Sequence, residues 1–363
     1  MTPAAERRAD AGSGRGDTTA RRGGAAAVPA THTAFGLALA IDPRIELPGL
    51  APIPARTRPA AAPTLTKPAL SAPAQPPAGW GPAEPPTRVL LDPEELHRRW
   101  AAHTAEPVRT REVRWEEQLV RTVDFAEPAG YLLFNRDHGR VLIAPDGRAL
   151  WCEPDPHNPQ WTAIVAAQAL PLAATLRGLE VVHAAGVVLD GRALLIAGAA
   201  GAGKSSLAAA LLRAGGRLLS DDAVALALDG EGTPIAHAGS LALQLRAPEH
   251  ERLCAGERAA LGRPAGVVEG KRRYVSDGAA AAPLGALLLL ERSAAQPAVE
   301  RLEAVSPFEL LASTFNLSVR TPARLRRQLD VVGAIAARGC VYRLRVQPGV
   351  DATQLAARVL ELA

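Results

Sequence analysis

The sequence predicts an α/β protein in which a small, β-rich amino-terminal part precedes an α/β core. Two observations support this prediction. Short β-rich runs separated by turn residues occur between residues 131 and 152, and this pattern is typical of hairpins. Further along the chain, a strand, a glycine-rich loop, a helix and another strand follow one another between residues 192 and 220, which is the order of an α/β unit.

The composition excludes several classes of protein. With 363 residues, 48% of them hydrophobic, the chain is long enough for two domains with their own cores. The 41 Lys and Arg residues are spread along the chain and face 37 acidic residues, so we expect no nucleic-acid partner. No apolar run reaches the ~18 residues that a membrane helix needs, so we expect no membrane association. Three scattered cysteines and the lack of a convincing export signal predict a cytoplasmic location.

The amino-terminal part has three predicted sections. Residues 1–31 have no periodicity and are predicted to be a disordered tail. A small β-rich domain is expected over 32–157, interrupted at 51–87 by a linker in which prolines recur. After this linker, Asp92-Pro93-Glu94-Glu95 predicts the start of a helix, with Asp as the cap, Pro in the first turn and acids at the positive end of the dipole.

The core is predicted over 158–363. Residues 161–176 predict a helix that Pro171 should kink. The elements expected next are a strand over Val181–Leu189, a two-residue turn at Asp190-Gly191, a strand over Arg192–Ala197, a helix over about Lys204–Ala214 and a strand over Arg217–Ser220.

The glycine-rich loop carries the main functional prediction. Its residues are Gly198-Ala199-Ala200-Gly201-Ala202-Gly203-Lys204-Ser205, which is the spacing of a phosphate-binding P-loop between a strand and a helix. The glycines allow backbone conformations closed to other residues, so that N–H groups converge on phosphate oxygens at the helix start. Lys204 is expected to reach the β- and γ-phosphates, and Ser205 to ligate Mg²⁺. With Ser206, this stretch predicts a nucleotide site for ATP.

Two further elements flank the loop. Asp221 and Asp222 follow the strand after the P-loop helix, where such an enzyme needs a carboxylate to hold the metal or to accept a proton. His183 lies on the predicted hairpin strand before the loop, where an imidazole bonded to an aspartate could tune a general base. A structural role for His183 as a core residue is the alternative.

Together these elements resemble a known family. The segment VVHAAGVVLDGRALLIAGAAGAGKSSLAAALLRAGGRLLSDDAVAL, residues 181–226, resembles the catalytic domain of the HPr kinase/phosphorylase family. The resemblance is greatest to the HPr-kinase-like proteins of lasso-peptide clusters, to which FGLALA, PLGALLLLER and FNLSVR are also similar. It implies a P-loop kinase core of the HPr kinase/PEP-carboxykinase type. It also implies transfer of the γ-phosphoryl of ATP to a Ser hydroxyl on a ribosomally made peptide, and it allows a homo-oligomer.

By the same resemblance, Asp221 would accept the hydroxyl proton with support from His183, while Asp222 and Ser205 would serve Mg²⁺ and Lys204 would assist transfer. Which of the two aspartates is the base and which serves the metal stays open. The family's later Glu-containing signature is missing from 241–256, which leaves Arg246 and Glu249 as weak candidates. The missing signature leaves reverse phosphorylase activity undecided. The amino-terminal region also does not resemble that of the bacterial HPr enzymes, so HPr itself is not expected as the partner.

The sequence also allows other functions and further candidate sites. A nucleotide-binding regulatory protein without transfer activity is one alternative, and a small-molecule kinase is another. Glu291 ends a predicted strand as a catalytic Glu would, but a core strand is the preferred interpretation. The basic triplet Lys271-Arg272-Arg273 is predicted to be a solvated turn, with a cationic loop that clamps the phosphoryl group as the alternative.

Overall fold

A computed structural model describes residues 29–52, 85–279, 281–293, 298–315, 318–347 and 349–362. Residues 1–28 of the predicted tail and 53–84 of the predicted linker lie outside this part, as do 316–317 of the FNLSVR segment. Within the described residues the chain is a mixed α/β protein with two nine-stranded sheets and one three-stranded sheet. No described helix has both the length and the apolar character to cross a membrane.

The first sheet is built by the strands before residue 155. They are β1 (His32–Ala34), β2 (Leu37–Ile41), β3 (Ala51–Pro52), β4 (Thr87–Leu91), β5 (Val108–Trp115), β6 (Gln118–Ala126), β7 (Gly130–Asn135), β8 (Gly139–Ile143) and β9 (Ala149–Pro154). Their order is β3-β1-β2-β4-β9-β8-β7-β6-β5. The predicted hairpins are confirmed, because β7, β8 and β9 pair antiparallel in succession.

The helix between β4 and β5 begins as predicted. Helix α1 (Pro93–Ala101) is capped by Asp92, whose carboxylate accepts a hydrogen bond from the Glu95 N–H at 3.0 Å. Buried Leu96 packs with Leu142 and Trp151 of the first sheet. The cap and this small apolar contact fix the helix on one face of the sheet.

Twelve strands follow in the described residues. They are β10 (Glu180–Val182), β11 (Ala184–Leu189), β12 (Arg192–Gly198), β13 (Arg217–Ser220), β14 (Val224–Leu228), β15 (Pro234–His237), β16 (Ala242–Arg246), β17 (Arg263–Val268), β18 (Lys271–Val275), β19 (Ala281–Arg292), β20 (Ala298–Arg301) and β21 (Val341–Val346). The second sheet has the order β10-β14-β15-β19-β12-β11-β13, with β21 beside β19 and β20 beside β21. β16, β18 and β17 form the third sheet.

The remaining helices are α2 (Leu170–Leu176), α3 (Lys204–Arg213), α4 (Ala247–Arg252), α5 (Ala255–Ala259), α6 (Pro307–Leu311), α7 (Pro322–Ala337) and α8 (Ala352–Leu360). A π-helical turn over Val165–Ala169 leads into α2. Pro171 has no N–H to donate to the preceding helical turn, and the π-helical turn lies directly before it. The predicted helix is therefore one continuous helical run over 163–176 that contains a π-helical turn.

The first two sheets share one hydrophobic core. Buried Leu39 and Ile143 of the first sheet pack in the same cluster as Leu170 of α2 and Val181 of the second sheet. Helices α3 and α8 pack together in a second cluster with residues of β11, β12 and β19. The first sheet is thereby held against β10 and β14, at one edge of the second sheet.

A buried ion pair ties α7 to β10. Arg324 donates to Glu180 at 2.7 Å, and Gln328 donates to the same carboxylate oxygen at 3.1 Å. Glu180 is 1% exposed and Arg324 is 3% exposed. Burial raises the pKa of Glu180 to about 7, against the opposing effect of Arg324. Burying these two charges costs free energy, and each charge is compensated only by its partner. Removing one partner would therefore leave the other buried without a counter-charge.

We expect Arg324→Met to destabilise the protein by about 3–5 kcal/mol, because it leaves a buried carboxylate without its counter-charge. Chemical denaturation measures this loss as a change in the free energy of unfolding. Arg326→Met on the exposed face of α7 is the matched control, with an expected change below about 0.5 kcal/mol. Equal stability of wild type and Arg324→Met would contradict the role of this pair.

Candidate active site

The predicted P-loop connects β12 to α3. β12 ends at Gly198 and α3 begins at Lys204, with Gly203 as its cap. Gly201 and Gly203 have φ values of 79° and 110°, which residues with a Cβ rarely adopt. A Cβ on Gly198 would lie 2.5 Å from the Leu290 carbonyl oxygen. The glycines are thus needed where the sequence predicted, and the loop wraps around the start of α3.

Lys204 lies buried across this loop. Its ammonium donates to the carbonyl oxygens of Gly198 at 2.9 Å and Ala199 at 3.2 Å, and it lies 3.1 Å from Nε2 of His183. Burial lowers the pKa of Lys204, and the two aspartates at 221 and 222 oppose that effect. The positive charge is therefore held at the loop by acceptors on one side and a ring nitrogen on the other.

His183 separates two strands rather than lying within one. The predicted strand Val181–Leu189 is wrong in this respect: β10 ends at Val182 and β11 begins at Ala184. β10 pairs with β14, whereas β11 pairs with β12 and β13. Because the chain changes neighbours here, the N–H of His183 instead donates to Ser313 at 2.6 Å. This break turns the imidazole toward the P-loop rather than into the sheet core.

The ring of His183 connects Lys204 to Asp222. Its Nδ1 lies 2.9 Å from the Asp222 carbonyl oxygen and 3.4 Å from the carboxylate. A carbonyl oxygen only accepts, so Nδ1 carries the proton and Nε2 accepts from the Lys204 ammonium. Burial lowers the pKa of His183, with Asp222 opposing and Lys204 adding to the shift. The histidine is therefore a neutral bridge.

Asp221 is buried beside Ser205. One carboxylate oxygen accepts from the Ser205 hydroxyl at 3.0 Å, and the other accepts from the Gln244 N–H at 2.9 Å. Burial raises the pKa of Asp221 to about 6. Asp222 is half exposed in a left-handed conformation with φ 72°. These contacts are the reverse of those that the resemblance implies: Ser205 contacts Asp221, and His183 contacts Asp222.

These groups open into one cavity of about 720 Å³. Ala200, Gly201, Gly203, Lys204, Ser205 and Ser206 line it, together with His183, Asp221 and Asp222. Of the other predicted nucleotide-binding residues, Gly198 and Ala199 offer carbonyl oxygens to Lys204, and Ala202 is buried in the core. The first sheet forms one wall of the cavity and the third sheet forms another.

The weaker candidates from the sequence divide into two groups. The predicted basic turn is wrong, because Lys271-Arg272-Arg273 belongs to β18, where Lys271 and Arg273 line the cavity and Arg272 is exposed. Arg246 and Glu249 also line the cavity. Glu291 lies outside it, half exposed and paired with Arg343 at 3.1 Å.

Sequence reasoning missed the cavity residues from the first sheet and from the turn before α2. Arg111 and Arg121 lie on β5 and β6, and Gln168 lies in the π-helical turn. In the described part of the chain, four buried polar atoms of the lining have no hydrogen-bond partner: Arg121 Nε, Gln168 Oε1, Glu249 Oε2 and Arg273 Nε. Such atoms are rare in folded proteins and indicate a polar ligand or water.

The oxygen atoms at the loop fit a magnesium ion. Hydroxyl and carboxylate oxygens are the donors that Mg²⁺ prefers, and it usually keeps water and phosphate oxygens as further ligands. The described residues contain no group of three or more His, Cys, Asp or Glu that could hold a metal. Ser205 and Asp221 therefore fit a metal bound together with nucleotide phosphates rather than a site made by the protein alone.

The raised pKa of Asp221 leads to a stability prediction. Its folded value of about 6 lies above its ordinary value of 3.8, so its stabilising contribution is present at low pH and is lost as the pH rises through 6. Measured with a chelator and without nucleotide, the unfolding free energy of wild type minus that of Asp221→Asn should fall by about 2 kcal/mol between about pH 4 and pH 7. A pH-independent difference would contradict the burial of this carboxylate.

Comparison with known proteins finds similarity among solved structures. The chain matches no protein-family model and no curated protein. Among solved structures it is similar to the Hpr(Ser) kinase/phosphatase from Coxiella burnetii, with 14% sequence identity and a TM-score of 0.27. The similarity covers 50% of this chain and 93% of that one.

Proposed function

We propose that this protein is an ATP-dependent phosphotransferase that moves the γ-phosphoryl group to a hydroxyl. One observation carries the proposal: a single cavity brings together a P-loop, the Ser205–Asp221 pair and the Lys204–His183–Asp222 chain. A site that only binds nucleotide needs the loop and the metal ligands. It does not need a second carboxylate at the cavity surface.

The donor side consists of the loop and the start of α3. The loop N–H groups and the positive end of the helix dipole would bind the phosphates, and Lys204 would neutralise charge on the β- and γ-phosphates. Ser205 and Asp221 would hold Mg²⁺, which supplies further charge neutralisation when bound. Gln244 fixes the Asp221 carboxylate through its backbone N–H, so this ligand is oriented before nucleotide arrives.

The acceptor side is formed by Asp222 and His183. The carboxylate of Asp222 is half exposed at the cavity, where it would accept the proton of the attacking hydroxyl. His183 would act as a positioning residue, because its Nδ1 proton is held by the Asp222 carbonyl oxygen. The buried Asp221 has its oxygens occupied by Ser205 and by backbone N–H groups, which makes it the less suitable proton acceptor.

For the acceptor we propose a Ser hydroxyl on a ribosomally made peptide of the lasso type; the resemblance of residues 181–226 supports this choice. The test is incubation with ATP, Mg²⁺ and a lasso-type precursor peptide that carries a Ser hydroxyl, followed by mass spectrometry. A phosphorylated Ser is the expected result. Tight ATP binding without phosphate on any hydroxyl acceptor would instead favour a regulatory nucleotide-binding protein, and transfer only to small molecules would favour the small-molecule kinase.

A further inference from the structure

Two arginines of the first sheet reach the same cavity. Arg111 on β5 and Arg121 on β6 line both the main cavity and a smaller one of about 30 Å³ that adjoins it. In the described part of the chain, neither side chain forms an ion pair or a hydrogen bond. Arg109, which is also on β5, pairs with Asp124 at 2.8 Å and with Glu112 at 3.0 Å. The two cavity arginines are thus left without partners, whereas Arg109 on the same strand is paired with two carboxylates.

The burial of the Arg121 side chain is energetically unfavourable in the absence of a ligand. Its Nε is buried without a hydrogen-bond partner. Burial lowers the pKa of Arg121, the charge of Arg111 lowers it further, and Glu269 and Asp222 oppose these effects without forming an ion pair. Because a buried donor without an acceptor costs free energy, a bound anion would relieve this cost.

The position of the two arginines ties them to the acceptor side. Arg111 is close enough to His183 to lower its pKa, and Arg121 interacts electrostatically with Asp222. Phe315 lines both cavities, and its ring centroid lies 6.1 Å from that of His183. The smaller cavity therefore lies close to His183, which contacts Asp222, the group that we propose as proton acceptor.

The smaller cavity fits the end of a molecule rather than a passing chain. Its volume is only about 30 Å³, which leaves room for one small terminal group. Val123, Leu133 and Leu172 form its apolar wall. Gln168 adds a buried carbonyl oxygen without a donor, which suits an N–H group next to the anion.

We propose that Arg121 and Arg111 bind a carboxylate of the phosphoryl acceptor, so that the acceptor is a hydroxyl compound with a carboxylate close to its hydroxyl. The planar fork of a guanidinium matches a carboxylate through paired hydrogen bonds. Two sources share this chemistry: the carboxyl terminus of a peptide that ends in Ser, and a small N-acylated hydroxy amino acid. The proposal rests on the proposed function.

The test compares acids with their amides. Wild type is given ATP, Mg²⁺ and four acceptors: a Ser-terminated peptide as free acid and as amide, and N-acetylserine and its amide. The free acid should be used at least about tenfold better in kcat/KM, the ratio that a hydrogen bond between charged groups supplies. Transfer to the peptide acid alone identifies a peptide terminus, and transfer to N-acetylserine as well identifies a small-molecule acceptor.

Variants then assign the effect to the arginines. Arg121→Gln should raise KM for the acid acceptor by about tenfold to a hundredfold and remove the preference over the amide, with KM for ATP unchanged. Arg109→Gln is the matched control and should change neither. Because Arg121 lacks a partner in the folded protein, Arg121→Gln should keep or raise the melting temperature. Arg111→Gln is the second variant.

The outcomes separate this proposal from the one on which it rests. Equal use of acid and amide by wild type would overturn the carboxylate subsite and leave the transferase function intact. An acid preference that survives in both Arg121→Gln and Arg111→Gln would also overturn it. ATP binding without transfer to any of these acceptors or to the precursor peptide would overturn the proposed function, and the subsite with it.

Discussion

Replacing Lys204 by Met is expected to abolish phosphoryl transfer while the protein stays folded. The ammonium is held by Gly198 O, Ala199 O and His183 Nε2, so it is already positioned where the phosphates of ATP would meet the loop. Without it, the charge that develops on the transferring group loses its nearest protein cation. Loss of such a group costs about 10³-fold or more in rate.

The fold should tolerate this change, because burial lowers the pKa of Lys204 and the buried charge is therefore not a source of stability. Single-turnover transfer measures the rate, and the rise in melting temperature on adding ATP and Mg²⁺ measures binding. Arg213→Met is the matched control, because Arg213 lies on the same helix and pairs with Glu257 away from the cavity. Normal transfer by Lys204→Met would exclude the loop as the catalytic site.

The local parts of the core could be predicted well from the sequence. The strand–loop–helix–strand unit lies within a few residues of its predicted bounds, because strand runs, glycines and a helical run follow one another without a gap. The Asp190-Gly191 turn is confirmed by the pairing of Leu189 with Arg192. Each of these features depends on neighbouring residues only.

The third sheet and the path of β19 could not be predicted in this way. β19 pairs parallel with β12 and β21 and antiparallel with β15, and these partners are far apart in the chain. The triplet Lys271-Arg272-Arg273 was mistaken for a turn because all three residues are basic. In a strand, side chains alternate between two faces, but three like residues in a row show no alternation.

The active site likewise combines features that depend on neighbouring residues with features that depend on distant parts of the chain. The loop and the Asp pair were visible as motifs, whereas the partners of the two aspartates depend on the left-handed backbone of Asp222. That conformation turns the second carboxylate toward His183, and nothing in two adjacent Asp residues reveals it. Arg111 and Arg121 escaped notice because the first sheet alone brings them to the cavity, through packing between elements that are distant in sequence.

Asp222→Asn should reduce transfer by about 10²- to 10⁴-fold, because an amide cannot accept the hydroxyl proton. The substitution is unusually conservative at this position. Asn tolerates the left-handed conformation that Asp222 adopts, and the hydrogen bond to His183 uses the main-chain carbonyl, which the variant keeps. ATP binding should persist, since Ser205, Asp221 and the loop are unchanged. Any loss in rate can then be assigned to the carboxylate itself.

Comparing Asp222→Asn with Asp221→Asn decides which aspartate accepts the proton and which holds the metal. Asp221 contacts Ser205, so its variant should weaken the Mg²⁺ dependence of ATP binding, and raising the Mg²⁺ concentration should partly restore transfer. Raising the Mg²⁺ concentration should not restore transfer by Asp222→Asn. Its pH–rate profile should also lose the limb that reports a catalytic base. Full turnover by Asp222→Asn, with a Mg²⁺-independent loss in Asp221→Asn, would reverse the two roles and restore the order inferred from the family resemblance.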